Sequence, residues 1–329
     1  MKVLRKFLIG VLMMTALFLV ACGEEESIAN KTKPIVFADE GWDSIRFHNE
    51  VAGIIIEEGF GYETEQTTGS DVALWKGLEQ GDIDVHMEGW TENLKEIYTQ
   101  AIDSGNVVEL SVNFDDNYQG LYVPTYVIEG DAERGIEPVA PDLKYITDLA
   151  NYADVFVDPD DTSKGRIVGA TPGWAINEIF EEAIIEYGLD EFYNYMSPGS
   201  ESAINASLVS AYDAGDPWLG YNYEPNWIMG IYDMTPLLEK DPEGVIAEVA
   251  SQDITIVANV DLQDEAPEVV EFLKKYETTS QIASDALTYI QEENADAYEA
   301  AVNFLQENED LWTEWVSDDI AEKVKASIQ

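Results

Sequence analysis

Three Gly-Trp pairs stand out: Gly41-Trp42, Gly89-Trp90 and Gly173-Trp174. The 8 Trp and 23 Gly of this 329-residue chain would give fewer than one by chance. Each pair follows a short apolar run (Ile35 to Ala38, Ile83 to Met87, Ile167 to Ala170) and precedes a helical pattern. In open α/β sheets this junction lies at the carboxyl ends of the strands, where ligands bind. A further aromatic, Tyr223, ends a return strand read over Trp218 to Tyr223. A pocket lined by Trp42, Trp90 and Tyr223 offers much π surface and few donors. That suits a quaternary ammonium, which has no N–H to donate and is held by cation–π attraction at about 0.5–2 kcal/mol per ring. Three rings bring micromolar binding within reach with modest further help.

Other chemistry is sparse. The chain has no phosphate-binding loop, no dinucleotide fingerprint and no nucleophile elbow. His48 and His86 are its two histidines. His86-Met87-Glu88 puts two potential ligands on one strand face, but zinc requires at least one more. The Asp158-Asp160-Asp161 loop lacks the glycine and distal glutamate of an EF-hand. No cofactor or metal is implied, and no nucleophile–histidine pairing supports a surface hydrolase. A calcium-binding adhesion module is compatible only with the acid count.

The first 22 residues read as a leader. Lys2, Arg5 and Lys6 precede an apolar run from Phe7 to Val20, too short to span a membrane comfortably. It ends in Leu19-Val20-Ala21-Cys22-Gly23, a lipobox pattern that makes Cys22 the expected site of lipid attachment. Cys22 is also the chain's one cysteine, which excludes an internal disulfide. The expectation is a protein tethered by lipid to the extracytoplasmic face of the cell membrane, through an acidic linker over residues 23–33. Formal charge is −49, and without the three leader cations it is −52, with 14 basic against 66 acidic residues. Such a charge opposes nucleic acid and anionic membrane surfaces and favours cationic ligands.

From Ile35 onward strands and helices alternate, as in α/β domains. Ser44 to Glu58 reads as a helix ending at Gly59. A second helix, capped at Gly69-Ser70-Asp71, carries Val72, Leu74, Trp75 and Leu78, which places Trp75 in the core. Trp312 and Trp315 on the last amphipathic stretch read as packing too. Tyr118 to Val127, broken by Pro124, reads as a crossing into a second lobe, with a return near residue 225. The expected division is 34–125 with 225–329 as lobe one and 126–224 as lobe two. Two α/β lobes joined by two crossings make a clamshell whose interlobe cleft holds the ligand.

These residues resemble the substrate-binding proteins of ABC importers for glycine betaine, proline betaine and choline, over nearly the whole mature chain. The carriers are Glu40-Gly41-Trp42-Asp43-Ser44, Trp75-Lys76 before Gly81-Asp82-Ile83-Asp84, Gly89-Trp90, Gly169-Ala170-Thr171-Pro172-Gly173 and Tyr223-Glu224-Pro225-Asn226-Trp227-Ile228-Met229. The resemblance implies a type II-like periplasmic-binding-protein clamshell with no enzymatic activity. It implies delivery of an osmolyte such as glycine betaine to a membrane permease. Choline, carnitine or an amino acid is the alternative solute. It implies a trimethylammonium box of Trp42, Trp90 and Tyr223, and a ligand carboxylate met by the amides of Ala175 and Ile176. Lys95 stands five residues after Trp90, where some relatives have a histidine, and is a candidate for the same carboxylate. Tyr118 and Trp174 are candidate further walls. Tyr223 stands where many relatives have Trp, and Asn226 where many have His.

Overall fold

The computed structural model describes residues 33–329; the leader, Cys22 and the linker as far as residue 32 lie outside the described residues. Three apolar runs become strands buried along nearly their whole length: β1 (Ile35–Asp39), β3 (Val85–Gly89) and β10 (Ile254–Asn259). Such strands belong to a sheet covered on both faces. With β2 (Thr64–Thr68) and β4 (Val107–Phe114) they form one sheet in the order β2-β1-β3-β10-β4. A second sheet has the order β7-β6-β8-β5-β9, from β5 (Tyr118–Pro124), β6 (Gly165–Val168), β7 (Tyr193–Met196), β8 (Gly220–Glu224) and β9 (Met234–Pro236).

The two orders are one plan used twice. β1 pairs parallel with β2 and β3, and β6 pairs parallel with β7 and β8. One antiparallel strand follows in each sheet, β10 between β3 and β4 and β5 between β8 and β9. In both sheets this is the strand that has just come across from the other lobe. This is the two-lobed α/β clamshell expected from the sequence.

The crossings fall elsewhere than expected. β5 belongs wholly to the second sheet, so the chain leaves lobe one between Phe114 and Tyr118, not near residue 125. β9 and the helix Val245–Val249, which packs on the helix Ala175–Glu186, still belong to lobe two. The return therefore lies between Val249 and Ile254, not near residue 225. Pro124 reads as a breaker, but it is the last residue of its strand, where a missing donor is easily spared. The break comes instead from Asp115-Asp116-Asn117, short polar side chains suited to a turn.

Helices fill both faces. The helix Asp43–Ile54 buries Phe47, Val51 and Ala52, and C-terminal helices close over them with Phe304 and Trp315. Trp75, on the helix Asp71–Gln80, is 1% exposed between Leu74 and Leu78, the core position its spacing indicated. Trp312 is fully buried. No helix among the described residues is long and apolar enough to cross a membrane.

Candidate functional site

Four aromatic side chains project from equivalent strand ends. Trp42 follows β1 and Trp174 follows β6, the first strands of the two plans, and each is the N-cap of the next helix. Trp90 follows β3, and Tyr223 lies near the end of β8, the third strands. Gly41 and Gly173 precede the two capping tryptophans at φ +91° and +101°, a backbone that residues with a Cβ rarely adopt. At these two junctions the glycine permits the turn that leads into the tryptophan.

The rings meet nearly at right angles, two of the three pairs across the lobes and the third within lobe two. Trp42 and Trp174 are 5.4 Å apart at 87°, Trp90 and Tyr223 6.0 Å at 89°, and Trp174 and Tyr223 6.0 Å at 89°. They border a pocket of about 300 Å³, part of it open to solvent, that is also lined by Asp71, Asn93, Gln119, Ile176 and Tyr221. All four rings are at most 7% exposed.

Two buried glutamates hold this cage. Glu88 Oε2 accepts from Trp42 Nε1 at 2.8 Å, Ser44 Oγ at 3.1 Å and Trp90 Nε1 at 3.4 Å. One carboxylate therefore fixes two of the indoles. Burial pushes Glu88 up to about 7 despite these donors. Behind it, burial holds His48 down at about 3, so the ring is neutral; its Nδ1 lies 2.8 Å from Tyr276 Oη. In lobe two, Glu201 Oε1 accepts from Tyr223 Oη at 2.8 Å and Asn226 Nδ2 at 2.9 Å. Burial, then the nearby charge of Asp43, pushes Glu201 up to about 8. Tyr221 Oη donates to Gln119 Oε1 at 2.9 Å, and Gln119 Nε2 donates to Asn93 Oδ1 at 3.0 Å.

The lobes are latched by a reciprocal exchange. Glu201, first residue of the helix Glu201–Ala214, accepts the backbone N–H of Asp43 at 2.9 Å, where a lobe-one helix begins. Asp71, first residue of the helix Asp71–Gln80, accepts the N–H of Ala175 at 2.8 Å, where a lobe-two helix begins. Each carboxylate meets unsatisfied amides and the positive end of a helix dipole. Trp174 Nε1 donates to Glu40 O at 3.0 Å, and the Asp71 N–H to Gly173 O at 3.1 Å.

The structure brings together Trp42, Trp90, Trp174, Tyr223 and Ile176. Ala175 is adjacent, but Asp71 occupies its amide. Lys95 does not line the pocket: it is exposed in a neighbouring surface groove that shares Asn93 and Trp174 with it, and its Nζ is 2.9 Å from Glu92 Oε2. Tyr118 does not line the pocket either; its half-buried ring stands edge-on to Tyr122 at 6.0 Å. His86 lies beneath the site, with Nε2 2.5 Å from Glu40 Oε1. Among the described residues no group of three or more His, Cys, Asp or Glu is placed to hold a metal. Asp158 and Asp160 are paired with Arg166.

Glu88, Glu201, Asp71, Gln119 and Tyr221 were not anticipated. The available signals were an acid beside Gly89-Trp90 in a fully buried strand, and acids at Ser70-Asp71 and Ser200-Glu201 that look like ordinary helix starts.

Residues 33–307 match the family described as the substrate-binding domain of ABC-type glycine betaine transport systems. A trimethylamine N-oxide-binding protein of Pelagibacter ubique is 25% identical over 294 residues, covering 87% of this chain and 91% of that protein. Among solved structures, an ABC-transporter choline-binding protein in complex with choline has a TM-score of 0.74 at 22% identity, covering 90% of this chain and 98% of that one. A glycine betaine/L-proline-binding protein from Borrelia burgdorferi has a TM-score of 0.73 at 20% identity, covering 89% and 100%. Lactococcal OpuAC, closed on glycine betaine, has a TM-score of 0.70 at 21% identity, covering 87% and 100%.

Proposed function

The chain belongs to the family of substrate-binding domains of ABC-type glycine betaine transport systems, and from that premise we propose that its cage of Trp42, Trp90, Trp174 and Tyr223 grips the quaternary ammonium head of a betaine- or choline-type solute. As a member of this family it is a solute receptor for an ABC importer and not an enzyme. The observation that carries the cage reading is the set of four nearly perpendicular rings drawn from both lobes, two of them anchored on one carboxylate. A tetrahedral N-methylated cation presents methyl groups in every direction, and each ring face it meets adds cation–π and dispersion energy. As pH climbs past about 7 to 8, Asp71, Glu88 and Glu201 around the cage ionise and add a negative potential that no lysine or arginine of the pocket lining opposes. The ligands in the names of three relatives, choline, glycine betaine and trimethylamine N-oxide, share a trimethylated nitrogen, which supports the same reading.

Closure over the ligand then marks the receptor as loaded for its permease. Anchoring through lipid on Cys22 completes the proposal, and loss of radiolabelled palmitate incorporation in Cys22→Ser is its check. Calorimetry with a panel of quaternary amines, followed by NMR of the recovered ligand, tests the central claim. Binding without chemical change is expected. No heat with any quaternary amine, or a converted ligand, overturns it.

A further inference from the structure

Asp71 and Glu201 hold equivalent places in the two lobes, yet they differ in what is left over. All three donors around Glu201 are matched, with Tyr223 Oη and Asn226 Nδ2 on Oε1 and the Asp43 amide on Oε2. Asp71 uses Oδ2 for the Ala175 amide, while its Oδ1 is buried without a hydrogen-bond partner. Asp71 also lines the cage pocket, which Glu201 does not. A buried acceptor left unmet is costly and uncommon in native proteins. Its equivalent across the cleft shows that the fold can satisfy such a carboxylate completely.

We infer that Asp71 Oδ1 accepts a hydrogen bond from the ligand's tail, so that the preferred ligand is a quaternary ammonium alcohol of the choline type and not a zwitterion ending in a carboxylate. The inference rests on the cage reading and adds the other end of the ligand. Three observations agree with it. No lysine, arginine or histidine among the described residues lines the pocket, so a ligand carboxylate finds no countercharge. The Ala175 amide, one of the two that such a carboxylate is expected to meet, already serves Asp71. A carboxylate tail placed there also meets Asp71 itself, a like charge at short range.

Protonation is the one route by which Asp71 becomes a donor instead. Burial and then the charge of Glu40 push its carboxyl up to about 7, against the opposing effects of the Ala175 amide and His86. A cation held in the cage draws it back toward the ionised form. The measurement therefore belongs at about pH 8.

Calorimetry on the whole protein with choline, tetramethylammonium, glycine betaine and trimethylamine N-oxide decides the question. Choline and tetramethylammonium share the head and differ in the hydroxyl arm, so choline is expected to bind about tenfold or more tightly. It is also expected to outrank glycine betaine and the N-oxide, whose tails only accept. In Asp71→Asn the amide oxygen keeps the Ala175 bond and the NH₂ faces the tail. The advantage of choline over tetramethylammonium should shrink to within about twofold, and glycine betaine should gain on choline. Glycine betaine or the N-oxide outranking choline in the unaltered protein overturns the inference, whether or not the variant folds. Equal weakening of choline and tetramethylammonium by Asp71→Asn also overturns it, since Asp71 then supplies only charge. Silence toward every quaternary amine removes the cage reading itself, a result distinct from a wrong order of tails.

Discussion

Trp90 and Trp75 are both large buried indoles, separated only by what surrounds them. Trp90 borders the pocket and donates to Glu88, whereas Trp75 sits among Leu74 and Leu78 with its ring 5.5 Å from His86. Trp90→Ala is expected to weaken a quaternary amine tenfold or more. Trp75→Ala should cost about 3–5 kcal/mol of stability, as loss of a core aromatic does, while the folded fraction keeps its affinity. Calorimetry and thermal melting on the two variants check the division; equal losses of affinity contradict it. Lys95→Ala should change affinity for betaine and choline alike by less than about twofold, because its ammonium is exposed and engaged with Glu92. A selective loss of betaine would return Lys95 to the site.

The titratable residues predict a pH trend. Asp71 and Glu88 lie at about 7 and Glu201 at about 8, each raised above the ordinary carboxylate range chiefly by burial. A raised carboxyl holds in the folded state a proton that the unfolded chain has released, so stability is lost as pH climbs to the folded value. Burial lowers His86, but Glu40, Asp71 and Glu88 together outweigh it and leave the ring raised, with the same sign of effect. His48, held near 3, is neutral in both states above about pH 6.5 and drops out. The ligand-free melting temperature should therefore fall between about pH 6.5 and 8. The increment gained from a cationic ligand should grow over the same interval. A flat profile would mean that these carboxyls ionise freely when folded.

At the scale of elements, the candidate site is built from strand–helix junctions, and these were legible. Apolar run, glycine, tryptophan and helix start identify Trp42, Trp90 and Trp174 without tertiary information, since each step is local. What closes the site was not legible. Glu88, Asp71 and Glu201 draw much of their meaning from distant partners, such as Ser44, 44 residues from Glu88, and Asp43, 158 residues from Glu201. In a chain with 66 acids, a place beside Gly89-Trp90 or at a helix start is too weak a local signal to single out three of them. The lobe boundary was misplaced for a similar reason: whether Tyr118 to Pro124 serves the first sheet or the second depends on β8 and β9, its distant partners.

The reciprocal latch carries a prediction at this scale. Glu201→Gln leaves one acceptor for three donors, so the bond across the cleft to Asp43 competes with Tyr223 and Asn226. The ligand-free variant should scatter X-rays with a larger radius of gyration, contract on adding ligand and bind about tenfold more weakly. An unchanged radius together with unchanged affinity would show that the exchange does not hold the lobes.

For the whole molecule, the placement of β10 has a consequence for the order in which the protein assembles. Lobe two is one uninterrupted stretch, its strands running from Tyr118 to Pro236 and its last helix ending at Val249. The first sheet has β10 between β3 and β4, so until residue 259 exists its two halves share no strand. During synthesis from the N-terminus, the lobe that begins second is therefore completed first. The opening hundred residues wait as a half-built sheet, with the central edge of β3 uncovered and open to mispairing. A chain cut short after Gln252 should yield, under brief proteolysis, a resistant fragment spanning about residues 118–249, while residues before Phe114 are digested. Protection of the early segment in that truncated chain would mean that the first sheet closes without its central strand.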